Sequence, residues 1–207
     1  MHVQFLNMKL LRLLLIGSIV TLSASLRAQE KGNPSLLNGW LREQSTVFDP
    51  LDLGGQLRFR AESKKNFAAA GTPAVDFQNH GGDQDNSYFL FREKFHAGYQ
   101  ATNWLTVYGE ARDSRSVSDD RRLDPENDPL DLQQAYFLLG NPKNFPITAK
   151  IGRQELRYGD ERLVGAVDWN NIGQVFDAAK LRYENSQLWI DGFVGRVVLP
   201  DADEFNV

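Results

Sequence analysis

Residues 87–100 read SYFLFREKFHAGYQ, and polar and apolar side chains alternate along this stretch. Successive side chains of a β-strand point to opposite sides, so a period of two indicates a strand with two different faces. One face carries Leu90, Arg92, Lys94, His96 and Gly98, and the other carries Phe89, Phe91, Phe95, Ala97 and Tyr99. The stretch therefore predicts a long strand between a polar and an apolar environment.

Similar alternation recurs along the chain, less cleanly in its fourth instance. We predict seven strands, at residues 53–63, 87–100, 104–115, 130–139, 146–157, 174–184 and 187–199. Long polar connections at 64–86, 116–129 and 158–173 alternate with short ones at 101–103, 140–145 and 185–186. Outer-membrane barrels have this rhythm, because their periplasmic turns are short and their extracellular loops are long. The sequence therefore predicts an all-β protein, an antiparallel transmembrane β-barrel.

The barrel also explains the two-faced strands. A backbone in hydrocarbon must satisfy its hydrogen bonds internally, and a closed sheet is the strand arrangement that does so. One face then meets lipid and the other lines the lumen. Glu93 is the exception, since it shares the apolar face with Phe91 and Phe95. A β-bulge or a position near the membrane interface would relieve it.

The N-terminus predicts export to the cell outer membrane. Residues 1–28 combine a basic start, a short apolar centre and a small-residue end, as signal peptides do. Residues 29–52 show no sustained period and are interpreted as a periplasmic lead-in, and residues 53–207 as the barrel portion. Three basic residues leave with the signal peptide, so the mature chain would carry 20 basic and 27 acidic residues, a net charge of −7.

Composition and motifs exclude several functions. An acidic exported chain is a poor nucleic-acid binder, and the absence of Cys removes disulfides, thiolate metal sites and Cys nucleophiles. The sequence contains no P-loop, no G-x-G-x-x-G and no nucleophile elbow. We therefore predict no enzyme activity, no catalytic residues, no cofactor, no metal site and no nucleic-acid partner.

Three segments resemble a known family. They are GRQELRYGDERLVG at residues 152–165, DWNN at 168–171 and FDA at 176–178. Two earlier segments, YGEARDS at 108–114 and QAY at 134–136, are also similar to segments of that family. These segments resemble the alginate export family of outer-membrane barrels. The resemblance implies a channel of about eighteen strands that passes an anionic polysaccharide, of which this chain would be the N-terminal portion. It also implies outer-membrane lipid and periplasmic export components as partners.

The candidate site is a set of basic side chains on the presumed lumen faces. Rings of Arg and Lys select anions, because guanidinium and ammonium groups bind carboxylates while several weak sites let the ligand move on. The predicted pore-lining, substrate-binding residues are Arg58, Arg60, Arg92, Lys94, Arg112, Lys150, Arg153, Lys180 and Arg182. Arg153 shares parity with Ile151, so it fits the lumen only if a bulge shifts the register or the strand has already left the membrane at that point. Acidic residues such as Asp160, Glu161 and Asp168 are expected in the outer loops.

Three alternatives stay open. The basic residues could simply pair with lumen carboxylates such as Glu62, Glu110 and Glu184 to neutralise a polar interior. The chain could be a complete small barrel of about eight strands with a structural or adhesive role. It could also be a secreted β-sandwich enzyme or sugar-binding protein, although the loop rhythm and the Phe-rich faces disfavour that class.

Overall fold

The computed structural model describes residues 36–72, 74–77, 85–141 and 143–202. The predicted signal peptide and the first part of the lead-in lie outside the described residues. The lead-in continues as helix α1, Leu36–Gln44, and a short 3-10 turn, Thr46–Phe48. No helix among the described residues has the length and apolar character needed to cross a membrane.

Seven antiparallel strands form one sheet in sequence order, which confirms the predicted all-β fold. The strands are β1 Leu51–Lys64, β2 Asn86–Thr102, β3 Leu105–Val117, β4 Asp128–Leu139, β5 Ile147–Gln154, β6 Phe176–Glu184 and β7 Trp189–Val197. Strand β5 ends at Gln154, earlier than predicted, because the chain then turns onto one face of the sheet. Strands β1 and β7 are the two edges of the sheet, which does not close among the described residues.

The register places unlike side chains on the two faces. On one face, called the inner face here, Arg58 lies directly opposite Arg92. On the other, the outer face, Phe59 lies opposite Phe91, with ring centroids 5.1 Å apart. Phe59 and Phe95 are each 61% exposed. An aromatic face this open to its surroundings is typical of a surface that contacts lipid or a partner.

A bulge interrupts the pairing of β3 with β4 and explains the weak alternation of the fourth strand. The register shifts between Glu110 and Ala111, and residue 133 is the extra residue on β4. As a result, Gln133 and Gln134 both bind groups of the inner face. The Gln133 Oε1 atom accepts a hydrogen bond from Arg112 (2.5 Å), and Gln134 Nε2 donates to Glu110 (3.2 Å). A bulge of this kind re-aims a side chain.

No bulge relieves Glu93. Strands β1 and β2 pair without a shift along their whole length, and β2 pairs with β3 without a shift from Phe89 to Gln100. Glu93 therefore stays on the outer face, between Leu57 and Asp113, and is exposed. The bulge offered as an explanation from the sequence is therefore wrong, and Glu93 lies in the middle of β2.

Gly152 on β5 provides a test of the sheet. Its φ is +125°, and an added Cβ would clash with the Ala135 carbonyl oxygen of β4. Backbone strain of this kind costs about 1–3 kcal/mol. We expect Gly152→Ala to lower the free energy of unfolding in detergent by at least that amount. The control is Gly192→Ala on β7, where nothing lies within 4 Å of the added atom. Equal stability of the two variants would contradict this account of β5.

Candidate functional site

Four arginines form a row on the inner face. Arg58 and Arg60 come from β1, Arg92 from β2 and Arg112 from β3, and all four lie toward the long-loop end of the sheet. Period-two geometry puts them on one side, and the register puts Arg58 beside Arg92. Such a row of like charges requires hydrogen-bond acceptors close by. The acceptors come from a distant part of the sequence.

The segment between β5 and β6, residues 155–175, folds over the inner face and is called the inner loop here. Its backbone carbonyl groups accept hydrogen bonds from the arginine row. Arg58 donates to the carbonyl oxygens of residues 168 (2.6 Å) and 170 (2.8 Å), and Arg92 donates to the same two oxygens at 3.2 and 3.3 Å. Arg60 donates to the carbonyl of residue 169, and Arg112 to that of residue 172.

Asn171 anchors the inner loop and is fully buried. Its side-chain Nδ2 group donates to the backbone carbonyls of Phe91 (2.9 Å), Arg115 (3.2 Å) and Glu126 (3.0 Å). Its own backbone carbonyl accepts from the Ser114 hydroxyl at 2.9 Å. The inner loop is therefore bound to β2, to β3 and to the 118–127 connection at once.

Asp168 adds a carboxylate to these neutral acceptors. Its Oδ1 atom lies 2.8 Å from Arg92 Nη1 and 3.7 Å from Lys94 Nζ. Burial raises the pKa of Asp168, but the hydrogen bond and charge of Arg92, together with the charges of Lys94 and Arg157, outweigh it and lower the pKa. The neighbouring Trp169 ring covers Arg60, with the guanidinium carbon 4.4 Å from the ring centroid.

The other inner-face charges are largely paired within the chain. Arg112 forms ion pairs with Asp128 and Asp131, and Arg60 with Glu62 at 2.5 Å. Lys94 lies 3.3 Å from Glu155. At these positions the arrangement agrees with the alternative that the basic residues neutralise a polar interior.

Three predicted residues lie apart from the arginine row, toward the short-turn end. Lys150 of β5 lies directly opposite Lys180 of β6. Arg182, also on β6, pairs with Asp191 on β7, with Nε 2.6 Å from Oδ1. The structure thus divides the predicted site into a covered arginine row and a second basic cluster.

Arg153 requires a correction, because it does not join either group. The register of β5 with β6 runs unshifted from Ile147 to Gln154, so Arg153 shares the outer face with Ile151. Its Nε atom donates to Asp177 at 2.9 Å. The bulge that would have turned it inward lies on β4 instead.

The inner loop and the roles of Asp168 and Asn171 were not predicted from the sequence. Asp168 was expected in an outer loop, yet its carboxylate reaches the inner face. A signal was present, because the segment carries small and apolar residues unlike a solvated loop. Among them Ala166 is 1% exposed and Ile172 is 8% exposed.

A polar hollow of about 250 Å³ lies between the inner loop and the sheet. Carboxylates from Glu110, Glu155 and Asp168 line it together with the cations of Lys94 and Arg157. Among the described residues, no group of three or more His, Asp or Glu side chains is placed to hold a metal ion.

Long antiparallel strands in sequence order, an exposed aromatic outer face and a charged inner face define the class of outer-membrane β-barrel proteins. The family model for alginate export matches residues 49–206, and the chain belongs to the alginate export family. Comparisons with curated proteins and with solved structures found no match. The family assignment confirms the resemblance seen in the sequence and favours a barrel over the β-sandwich alternative.

Replacing Asn171 tests the anchoring of the inner loop. Asn171→Ala removes a donor that three backbone carbonyl groups share, and leaving even one buried polar group unsatisfied costs about 1–3 kcal/mol. We expect amide exchange in residues 166–173 to accelerate at least about fivefold, as measured by hydrogen-exchange mass spectrometry. Asn170→Ala is the matched control, because the Asn170 side chain is exposed and its backbone carbonyl is kept. Unchanged exchange in Asn171→Ala would contradict the anchor.

Acid should loosen the inner loop through Asp168. Because the pKa of Asp168 is lowered in the folded protein, its ion pair stabilises the docked loop above the ordinary aspartate pKa near 3.8, and this stabilisation is lost as pH falls through the lowered value. A variant that keeps Trp169 as its sole tryptophan reports the change by fluorescence. We expect Asp168→Asn in that background to lose the acid transition. The same titration in both proteins would assign the transition to another carboxylate.

Proposed function

We propose that this protein is an outer-membrane channel through which an anionic, alginate-like polysaccharide or oligosaccharide diffuses passively along an Arg- and Lys-lined pore. The family assignment supports alginate export by an outer-membrane protein in general. The observation that carries the finer proposal is the arginine row, Arg58, Arg60, Arg92 and Arg112, gathered on the inner face. Outer-membrane lipid and periplasmic export components are the further partners that we propose.

The acceptors around the arginine row support this choice of substrate. Three successive backbone carbonyls, of residues 168–170, and the carboxylate of Asp168 bind the guanidinium groups. A polyuronate offers the same kinds of group, namely carboxylates and neutral oxygens at short intervals. It could therefore replace the contacts of the inner loop one by one, which keeps each step small.

The inner loop also leaves some hydrogen-bonding capacity unused. Among the described residues, the buried Nε atoms of Arg58, Arg92 and Arg112 have no hydrogen-bond partner. An unsatisfied buried donor costs free energy, so a ligand that reaches these atoms gains binding. The proposed transport needs no bond to be made or broken, in keeping with a family of transport proteins.

Conductance of the full-length protein in planar bilayers tests the channel. We expect an anion-selective current that polyuronate blocks, and a clear fall in the ratio of anion to cation permeability when Arg58, Arg60, Arg92 and Lys94 are all changed to Gln. The loss of fixed positive charge from the pore wall is the reason.

The matched control changes basic residues that do not face the inner side of the sheet. Arg115 and Arg196 lie on the outer face, where they are paired with Asp113 and Asp177. The Arg115→Gln and Arg196→Gln variants should keep the anion selectivity. Correctly inserted protein that carries no current would refute the proposed function, and the structural or adhesive barrel would then be favoured.

A further inference from the structure

The second basic cluster contains an arrangement that costs stability. Lys150 and Lys180 lie directly opposite each other on β5 and β6, on the inner face. Like charges at directly opposite positions of neighbouring strands destabilise a sheet. An unfavourable local arrangement that persists in a folded protein often marks a functional position.

The chain itself compensates this pair poorly. Within the described part of the chain, Lys150 Nζ has no carboxylate oxygen within 4.0 Å, and it lies over the Tyr136 ring, 3.7 Å from the centroid. Lys180 Nζ is 3.9 Å from Asp191 Oδ2. That carboxylate already accepts from Arg182 at 2.6 and 2.7 Å and from the Tyr158 hydroxyl at 2.8 Å. The two ammonium groups therefore share little of the available negative charge.

Space for a ligand adjoins the two lysines. A hollow of about 220 Å³ is lined by Leu138, Thr148, Lys150, Lys180, Arg182 and Glu184. Three cations and one carboxylate give it a positive balance. A hydroxyl and an aliphatic side chain complete a wall suited to a sugar that carries an acid group.

Stacked rings hold one of the lysines in place. The rings of His96, Tyr108 and Tyr136 stack across β2, β3 and β4, with centroids 5.5 and 4.8 Å apart, and Lys150 continues this series on β5. A side chain that is ordered before binding loses less conformational entropy on binding.

We infer that Lys150 and Lys180 form a carboxylate-binding site for a single uronate residue of the transported polymer, at the short-turn end of the inner face. This inference rests on the proposed function and adds a defined position to it. The arginine row is covered by the inner loop, whereas no residue of the inner loop lines the hollow beside the two lysines. The polymer therefore binds the lysine site first when it arrives from the short-turn side.

Calorimetry of the full-length protein in detergent with trigalacturonate tests the site without requiring conduction. We expect Lys150→Gln and Lys180→Gln each to weaken binding about tenfold or more, as the loss of a hydrogen bond to a charged group does. Lys143→Gln is the matched control, because Lys143 is exposed in the short turn between β4 and β5. Maltotriose, which has no carboxylate, should not bind.

Thermal unfolding separates a binding role from a structural one. Removal of one like charge should leave the melting temperature of Lys150→Gln unchanged or higher, while binding falls. A lower melting temperature with unchanged trigalacturonate affinity would overturn the site and assign Lys150 to support of the ring stack.

Calorimetry and conductance test the lysine site and the channel separately. Anion current with equal trigalacturonate affinity in the wild type and both lysine variants would refute the lysine site and leave the proposed function standing. Lysine-dependent binding by an inserted protein that carries no current would refute transport alone.

Discussion

The structure depends on one requirement, which is that closely spaced guanidinium groups need hydrogen-bond acceptors. Arg58 lies opposite Arg92, and Lys94 lies opposite Arg112, so the register of three strands concentrates positive charge in one place. Exposed, such groups would be solvated by water. Here they are covered, and a covered guanidinium group must find hydrogen-bond acceptors within the protein. The inner loop supplies them, and this requirement fixes where residues 155–175 lie.

The inner face consequently has two regions of different character. Toward the long loops, backbone carbonyls and carboxylates bind the arginines. Asn171 connects the inner loop by hydrogen bonds to two strands and a second loop. Toward the short turns, Lys150 and Lys180 face a hollow with little compensation. The inner face thus combines one cluster of cations that is paired within the protein with a second cluster that is only weakly paired. A polyanion would have to displace contacts within the protein to bind the arginines, whereas it would displace few to bind the lysines.

Much of the fold could be predicted from the sequence. The seven strands, their two faces and the family follow from alternation, loop rhythm and the run at residues 152–178, because side-chain parity is a local property of an extended chain. The same parity puts Arg153 on the face of Ile151, and the unshifted register of β5 with β6 agrees. The bulge near residue 133 was visible only as a weakened period, since a single extra residue resembles ordinary irregularity.

The sequence by itself therefore determined the sheet and the set of basic side chains on its inner face. The tertiary structure decided which of those side chains are bound within the protein, and by which groups. The Arg58 hydrogen bond to the carbonyl of residue 168 joins groups 110 positions apart, and the acceptor is a backbone atom common to every residue type. Alternation of side chains carries no information about such a contact. It forms only when strands from distant parts of the chain have already brought the arginines together.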